Sequence, residues 1–411
     1  MGLVKSMFYE DQQRGWSEID DMYVCADCIY ESFLQTIILD NLCSTTCCYC
    51  SASDVSPIAA PVRILQESLY GAVHTYFAEP TGAGVPYDGG FIIEPKYIDE
   101  VLGDLGFDCD IGLWDDLVNA DAGNGYVNAC NGHWATSHEN ERLSDSWSYF
   151  EDTVKHRTRF NFASLDGDEY MGSQDIPPRY MLETLGDLLQ PVVTTLAVHT
   201  SVYRVRSRTV RKTWKPDAQQ MGAPNPEIAT AGRMNPAGIP YLYTAFDFNT
   251  AVHEARAETR TTSTVFVGRF ETTQPLVLVD FTASFDMPSL FDLNRQRERE
   301  NILFFYRFVE QISQPVRPDD RVHLSYIPTQ VVCEYLAQVF QTNEGKQLDG
   351  IIFPSSLFKG GKNLVVFPSK ERGRLEFRGV NFKEVFRYQR PRRQHPTGPF
   401  DQPAGKLLPM E

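Results

Sequence analysis

Basic residues are scarce in the first half of this 411-residue chain, where residues 1–194 hold 9 Lys and Arg against 32 Asp and Glu. A segment that acidic is repelled by phosphate backbones, which argues against nucleic acid as its partner. Long apolar runs are also missing. None approaches the about 18 residues a membrane-spanning helix needs, so no membrane partner is expected. The opening stretch MGLVKSMFYEDQQRGW lacks the apolar core of a secretory signal, and the expected location is cytoplasmic. His133, His138 and His156 have no ligand spacing among themselves, and no catalytic motif stands out between Cys50 and residue 190.

What is present is an ordinary globular balance, with 42% hydrophobic and 22% charged residues, which excludes disordered, collagen-like and fibrous classes. A chain of this length is expected to build two or three cores. The charge changes near residue 195, since residues 195–370 carry 20 basic against 17 acidic side chains and residues 371–411 carry 9 against 5. With the Pro177–Pro178 pair just before it, that break suggests a linker over roughly 175–200. The expected organisation is a lead-in over 1–20, a cysteine module over 21–55 and an acidic helical domain over 56–194. A mixed domain over 195–370 and a basic, partly disordered tail over 371–411 complete it.

Six of the nine cysteines lie between Cys25 and Cys50. In a reducing compartment such clustering favours metal ligation over disulfides. Cys25-Ala-Asp-Cys28 and Cys47-Cys48-Tyr-Cys50 form two CxxC knuckles separated by 18 residues, the spacing of a structural zinc site. Four thiolates close a tetrahedral shell with no open position, so Cys25, Cys28, Cys47 and Cys50 are expected to support folding or partner docking. Amphipathic patterning predicts helices at Val62–Phe77, Tyr97–Leu105 and Ile111–Val118.

From residue 200 the texture changes to short β-branched and aromatic runs. They predict strands at Val202–Arg206, Tyr241–Ala245, Thr264–Phe270, Leu276–Asp280, Gly350–Phe353 and Asn363–Phe367. Helices are predicted at Phe248–Glu258, capped by Asp247 or Asn249, at Asn294–Ile312, and at Pro328–Phe340. The fold class is therefore α+β, a mixed sheet preceded by a mainly helical domain. Polar residues interrupt this second half where a core would not place them: Arg204 in the first strand, a glycine-rich turn Gly232-Arg233-Met-Asn235-Pro-Ala-Gly238 leading to Tyr243, Glu254 beside buried-looking Ala251 and Ala255, and Ser355-Ser356 after an apolar run.

In this order these features resemble the RES domain, a bacterial toxin family named for an arginine, a glutamate and a serine. The resemblance is most specific in AGRMNPAGIPYLYTAFDFNTAVHEA and DGIIFPSSLFKGGKNLVVF, with YIPTQVVCEYLAQVF between them, and spans about 200–370. Met234 stands where the family commonly has Trp. The acidic first half resembles the HEPN-type domain that accompanies some RES domains. Nucleases of that group carry Arg-x(4–6)-His, whose only matches here run from Arg317 to His323 and from Arg390 to His395, so the N-terminal domain is expected to be non-catalytic.

The resemblance implies a fold like ADP-ribosyltransferases and a toxin-type enzyme that consumes NAD as substrate by breaking its nicotinamide–ribose bond, as a glycohydrolase or phosphorylase. It also implies a protein antitoxin or regulatory partner and leaves room for a homo-oligomer. Alternatives are an ADP-ribosyltransferase acting on a macromolecule and a non-enzymatic binding protein that keeps the fold. Bond cleavage builds positive charge on the ribose, which a carboxylate opposes, and Glu254 is the candidate. The pyrophosphate calls for a guanidinium beside close-approaching backbone, which Arg204 or Arg233 supplies with Gly232, Asn235 and Gly238. Tyr243 is expected to stack on nicotinamide or bond the ribose, and Ser355, with Ser356 and Asn363, to bind phosphate or orient the acceptor. The basic run Arg204–Lys215, with Trp214 among its charges, has two readings, a nucleic-acid patch and, in preference, a solvated strand face that attracts anionic NAD.

Overall fold

The computed structural model describes residues 14–123, 125–130, 132–165, 175–208, 216–256, 264–314, 322–371, 374–376, 380–389 and 406–409. The chain forms two compact units, one of residues 1–142 with 286–304, the other of residues 143–285 with 305–411.

The first unit is mainly helical. Strand β1 (Tyr23–Cys25) pairs antiparallel with β2 (Ala59–Pro61), and Cys25 lies opposite Ala59. Helix α1 (Ser32–Asp40) starts where Glu31 accepts a hydrogen bond from the Leu34 amide, satisfying one of the orphan donors of a helix start. Helix α2 (Val62–Tyr76) buries Val62, Leu65, Leu69 and Val73, the three- and four-residue spacing of one helical face. Strands β3 (Phe77–Ala78) and β4 (Val127–Asn128) form a short pair. Helix α3 (Ile98–Asp104) and helix α4 (Ile111–Ala120), the latter capped by the Asp110 carboxylate on the Gly112 amide, close the same core with Val101, Leu102, Leu113 and Leu117 fully buried. The three helices predicted between Val62 and Val118 thus form within one to two residues of their expected ends. Helix α5 (Glu139–Asp152) starts at the end of this unit, and its residues from Leu143 onward belong to the second.

The second unit carries a nine-stranded mixed sheet. Its strands are β5 (Val193–Leu196), β6 (Ser201–Arg208), β7 (Leu242–Ala245), β8 (Thr264–Thr272), β9 (Leu276–Asp280), β10 (Gly350–Pro354) and β11 (Lys362–Val366). After a small separate hairpin of β12 (Ser369–Glu371) and β13 (Arg374–Glu376) come β14 (Val380–Gln389) and β15 (Lys406–Pro409). The order is β15-β14-β8-β6-β7-β11-β10-β9-β5, and β9–β10 is the parallel pair. Two apolar layers cover its faces. Val202, Leu242, Ile352 and Leu364 belong to one, while Tyr203, Val205, Val265 and Val267 pack with Phe248 and Val252 in the other.

Helix α6 (Pro178–Leu189) begins at the proline pair expected to lie in a linker. Pro178 sits in the first turn, where its missing N–H is no loss and its fixed φ suits the helix. Helices α7 (Phe248–Arg256), α8 (Gln296–Ser313) and α9 (Ile327–Gln338) match the three predicted in the second half. Residues 380–389, assigned by composition to the tail, form a full sheet strand against β8, with a bulge between Phe382 and Glu384. No helix among the described residues is long and apolar enough to cross a membrane.

Candidate active site

Glu254 is placed by the geometry of α7 against β11. The Asp247 carboxylate caps α7, accepting from the Thr250 amide at 2.9 Å and from its hydroxyl at 2.5 Å. Thr250, Ala251 and Glu254 share one helix face, because residues three and four apart align. Thr250 is fully buried, and a Cβ at Gly361 would come within 2.4 Å of its hydroxyl, so only glycine lets the chain enter β11 this close to α7. One helical turn further on, about 6 Å along the axis, Glu254 meets Asn363, two strand residues or about 6.6 Å beyond Gly361. Asn363 Nδ2 donates to Glu254 Oε1 at 2.9 Å.

Ser355 completes this carboxylate clasp. The β10–β11 hairpin pairs Phe353 with Asn363, and Ser355 follows at its mouth. Its hydroxyl donates to the same Glu254 Oε1 at 2.6 Å and accepts the amides of Leu357 and Phe358 at 3.3 and 3.0 Å. The turn role of Ser355 is thus met by the two loop amides, while its hydrogen goes to Glu254. Among the described residues, no group bonds Oε2. Ser356 is exposed on the same loop. His253 bonds the Asn249 carbonyl at 2.7 Å and stacks on Phe358 at 4.6 Å.

The glycine-rich turn is a second cluster, tied from three sides. The Tyr243 hydroxyl donates to Asn235 Oδ1 at 2.7 Å and accepts from the Met234 amide at 3.0 Å, and burial pushes its pKa well up. Asn235, itself 3% exposed, gives its amide to the carbonyls of Thr230, Pro236 and Ile239. From α9, Gln330 Nε2 donates to the carbonyls of Gly232 at 2.7 Å and Asn235 at 3.1 Å, and Thr329 Oγ1 donates to that of Arg233 at 2.7 Å. A Cβ on Gly232 would lie 2.7 Å from Asn235 Oδ1 and 2.8 Å from the Tyr243 hydroxyl, which explains that glycine. Gly238 has φ of +85°, a conformation glycine adopts without strain.

The two arginines differ. Arg233 donates to the carbonyls of Ile312 at 3.2 Å and Gln314 at 3.0 Å, closing the C-terminal end of α8. Arg204 donates to the Tyr243 carbonyl at 3.4 Å. Strand alternation puts it on the Val202 face of β6, opposite the face where Tyr203 packs against α7. Hydrogen bonds join Glu254, Ser355 and Asn363 in one cluster and Tyr243, Asn235 and the Gly232 turn in another, which Arg204 reaches through the Tyr243 backbone carbonyl. Thr250, Thr329 and Gln330 escaped sequence reasoning. The four-residue step from Thr250 to Glu254 was the available signal for the first, whereas nothing local marks residues whose partners lie about a hundred positions away.

In the first unit the Sγ atoms of Cys25, Cys28, Cys47 and Cys50 all lie within 4.8 Å of one another. Cys25 is 3.6 Å from Cys28 and from Cys50, and Cys28 is 3.7 Å from Cys47. Sulfurs at about 2.3 Å from a tetrahedral zinc sit about 3.8 Å apart, so the donor set fits the ion. Burial, with hydrogen bonds from Cys50 and Cys47, pushes Cys25 up to about 11. Burial also acts to raise Cys47, but the amides of Cys50, Tyr49 and Cys25 outweigh it and draw that thiol down to about 7. Cys43 and Cys48 are exposed and outside the group. Of the two Arg-to-His spacings, Arg317, Arg390 and His395 lie outside the described residues.

No curated protein matches the chain. The family model of HEPN/RES N-terminal domain 1 matches residues 40–168, and that of the RES domain matches residues 201–387, extending through most of β14. The clasped Glu254 with Ser355, the knotted glycine turn and Arg204 all fall within the second match, so residues 201–387 are a RES domain, which at family level carries a toxin-like, NAD-related function.

Proposed function

We propose that the second unit binds NAD and breaks its nicotinamide–ribose bond, passing the ADP-ribosyl group to water or to inorganic phosphate. The observation that supports this most is Glu254, a single carboxylate gripped through one oxygen by two neutral donors within a RES domain. As neutral nicotinamide leaves, positive charge grows on C1′ of the ribose, and a preorganised carboxylate opposes that charge without reorganising. Ser355 orients the carboxylate, since its hydrogen goes to Glu254 and its oxygen accepts two amides. Arg204 or Arg233 supplies the guanidinium for the pyrophosphate. In the first unit, Cys25, Cys28, Cys47 and Cys50 hold one structural zinc.

Product analysis of the purified protein with NAD, with and without phosphate, tests the reaction. Free nicotinamide with ADP-ribose identifies a hydrolase, and a phosphate-dependent switch to ADP-ribose phosphate identifies a phosphorylase. Labelled macromolecules in lysate would replace this reading with a transferase, and absence of nicotinamide release with partner binding intact would replace it with a binding protein. Arg204→Ala is expected to raise KM for NAD about tenfold or more while lowering kcat little, since a charge-assisted pyrophosphate contact exists before as well as during the reaction. An unchanged KM would remove Arg204 from the pyrophosphate.

A further inference from the structure

We infer that Asn363 acts on the reaction through Glu254 and not by touching NAD: with Ser355 it fixes Oε1 so that Oε2 is the oxygen presented to the ribose. This rests on the reading of Glu254 above. Asn363 is 5% exposed and is the second residue of β11, whose next three residues, Leu364, Val365 and Val366, are buried apolar side chains. It is flanked in the sheet by Phe353 on β10 and Ala245 on β7, so its backbone is held on both sides. A primary amide at such a position costs free energy unless its donors are used. Its one side-chain bond among the described residues is the 2.9 Å donation to Glu254 Oε1.

The position also has the stiffness a positioning residue needs. Thr250 against Gly361 sets the distance between α7 and β11, and Ser355 approaches the same oxygen at 2.6 Å from the other end of the hairpin loop. Two neutral donors converging on one oxygen orient a carboxylate more strictly than a single bond, and they leave its second oxygen for the developing charge. A residue that contacted NAD directly would need more exposure than Asn363 has.

The test is a cycle of Asn363 variants in wild-type and Glu254→Gln backgrounds, reading nicotinamide release. Asn363→Leu keeps the volume but removes the donor, and Asn363→Ala removes it with a smaller side chain should the first variant fold poorly. In the wild-type background kcat should fall about tenfold or more, the worth of one bond to a charged group, with KM for NAD unchanged. In the Glu254→Gln background neither substitution should lower kcat much further, because groups that act as one unit are not additive. A raised KM with kcat unchanged would put Asn363 on the substrate and overturn the inference, as would an equal loss of kcat in both backgrounds. If the unsubstituted protein releases no nicotinamide, the reading of the reaction fails and this one with it; the other two outcomes sink this inference alone.

Discussion

Glu254→Gln is expected to lower nicotinamide release by about a hundredfold or more, the range seen when one preorganised electrostatic contact to a transition state is removed. The substitution suits the clasp. A glutamine Oε1 still accepts from Ser355 Oγ and Asn363 Nδ2, and its amide nitrogen takes the place of Oε2, which no described residue bonds. Shape and packing are kept, so the thermal midpoint should move little. KM for NAD should also hold, since the charge being opposed appears only as the glycosidic bond breaks. This pattern is the inverse of the one expected for Arg204→Ala, and measuring both variants separates chemistry from binding. Full activity in Glu254→Gln would remove the carboxylate from the mechanism. A loss explained by a falling thermal midpoint would give it a role in folding instead.

Much of the frame that positions this carboxylate is legible in the sequence. Leu276–Asp280 forms over the expected residues, and β6, β7, β10 and β11 form within one or two residues of theirs, because buried strands write their β-branched runs locally. Glu254, Ser355 and Asn363 are each recoverable, yet their mutual bonds depend on the crossing of α7 over β11, which no single segment encodes. Arg233 and Tyr243 show the limit. Read as segments, a guanidinium and a phenol near a glycine turn suggest a ligand, and no segment shows the partners the fold brings to them: two carbonyls at the end of α8 for the first, Asn235 and the Met234 amide for the second. Strand β14 is hidden for another reason. Asn381, Lys383, Glu384 and Arg387 give it a polar, basic composition, and the bulge at Phe382 and Glu384 breaks the two-residue alternation that marks a strand. Composition is a statement about solvation, whereas sheet pairing is made by backbone groups that composition does not see.

Purified protein should contain close to one equivalent of zinc, and Cys28→Ser or a strong chelator should unfold the first unit. Cys25, Cys28 and Cys47 are 5, 3 and 1% exposed, and they lie in the same core as Val24, Ile29, Leu34 and Leu65. The second knuckle is threaded into that core by backbone bonds, with Cys48 donating to the Tyr23 carbonyl, Cys47 to Ala52 and Cys43 to Ala59. A structural zinc in small domains contributes about 10–16 kcal/mol of apparent binding free energy, comparable to the about 5–15 kcal/mol that stabilises a whole domain. Removing it therefore does more than loosen a loop: α1, packed beside the knuckles, should lose protection from hydrogen exchange first, followed by α2 and α4. Cys43→Ser is the control, since Cys43 is exposed and outside the group of four, and it should keep both metal and protection. A metal-free protein with four free thiols and a fully protected first unit would show that these sulfurs meet for packing alone.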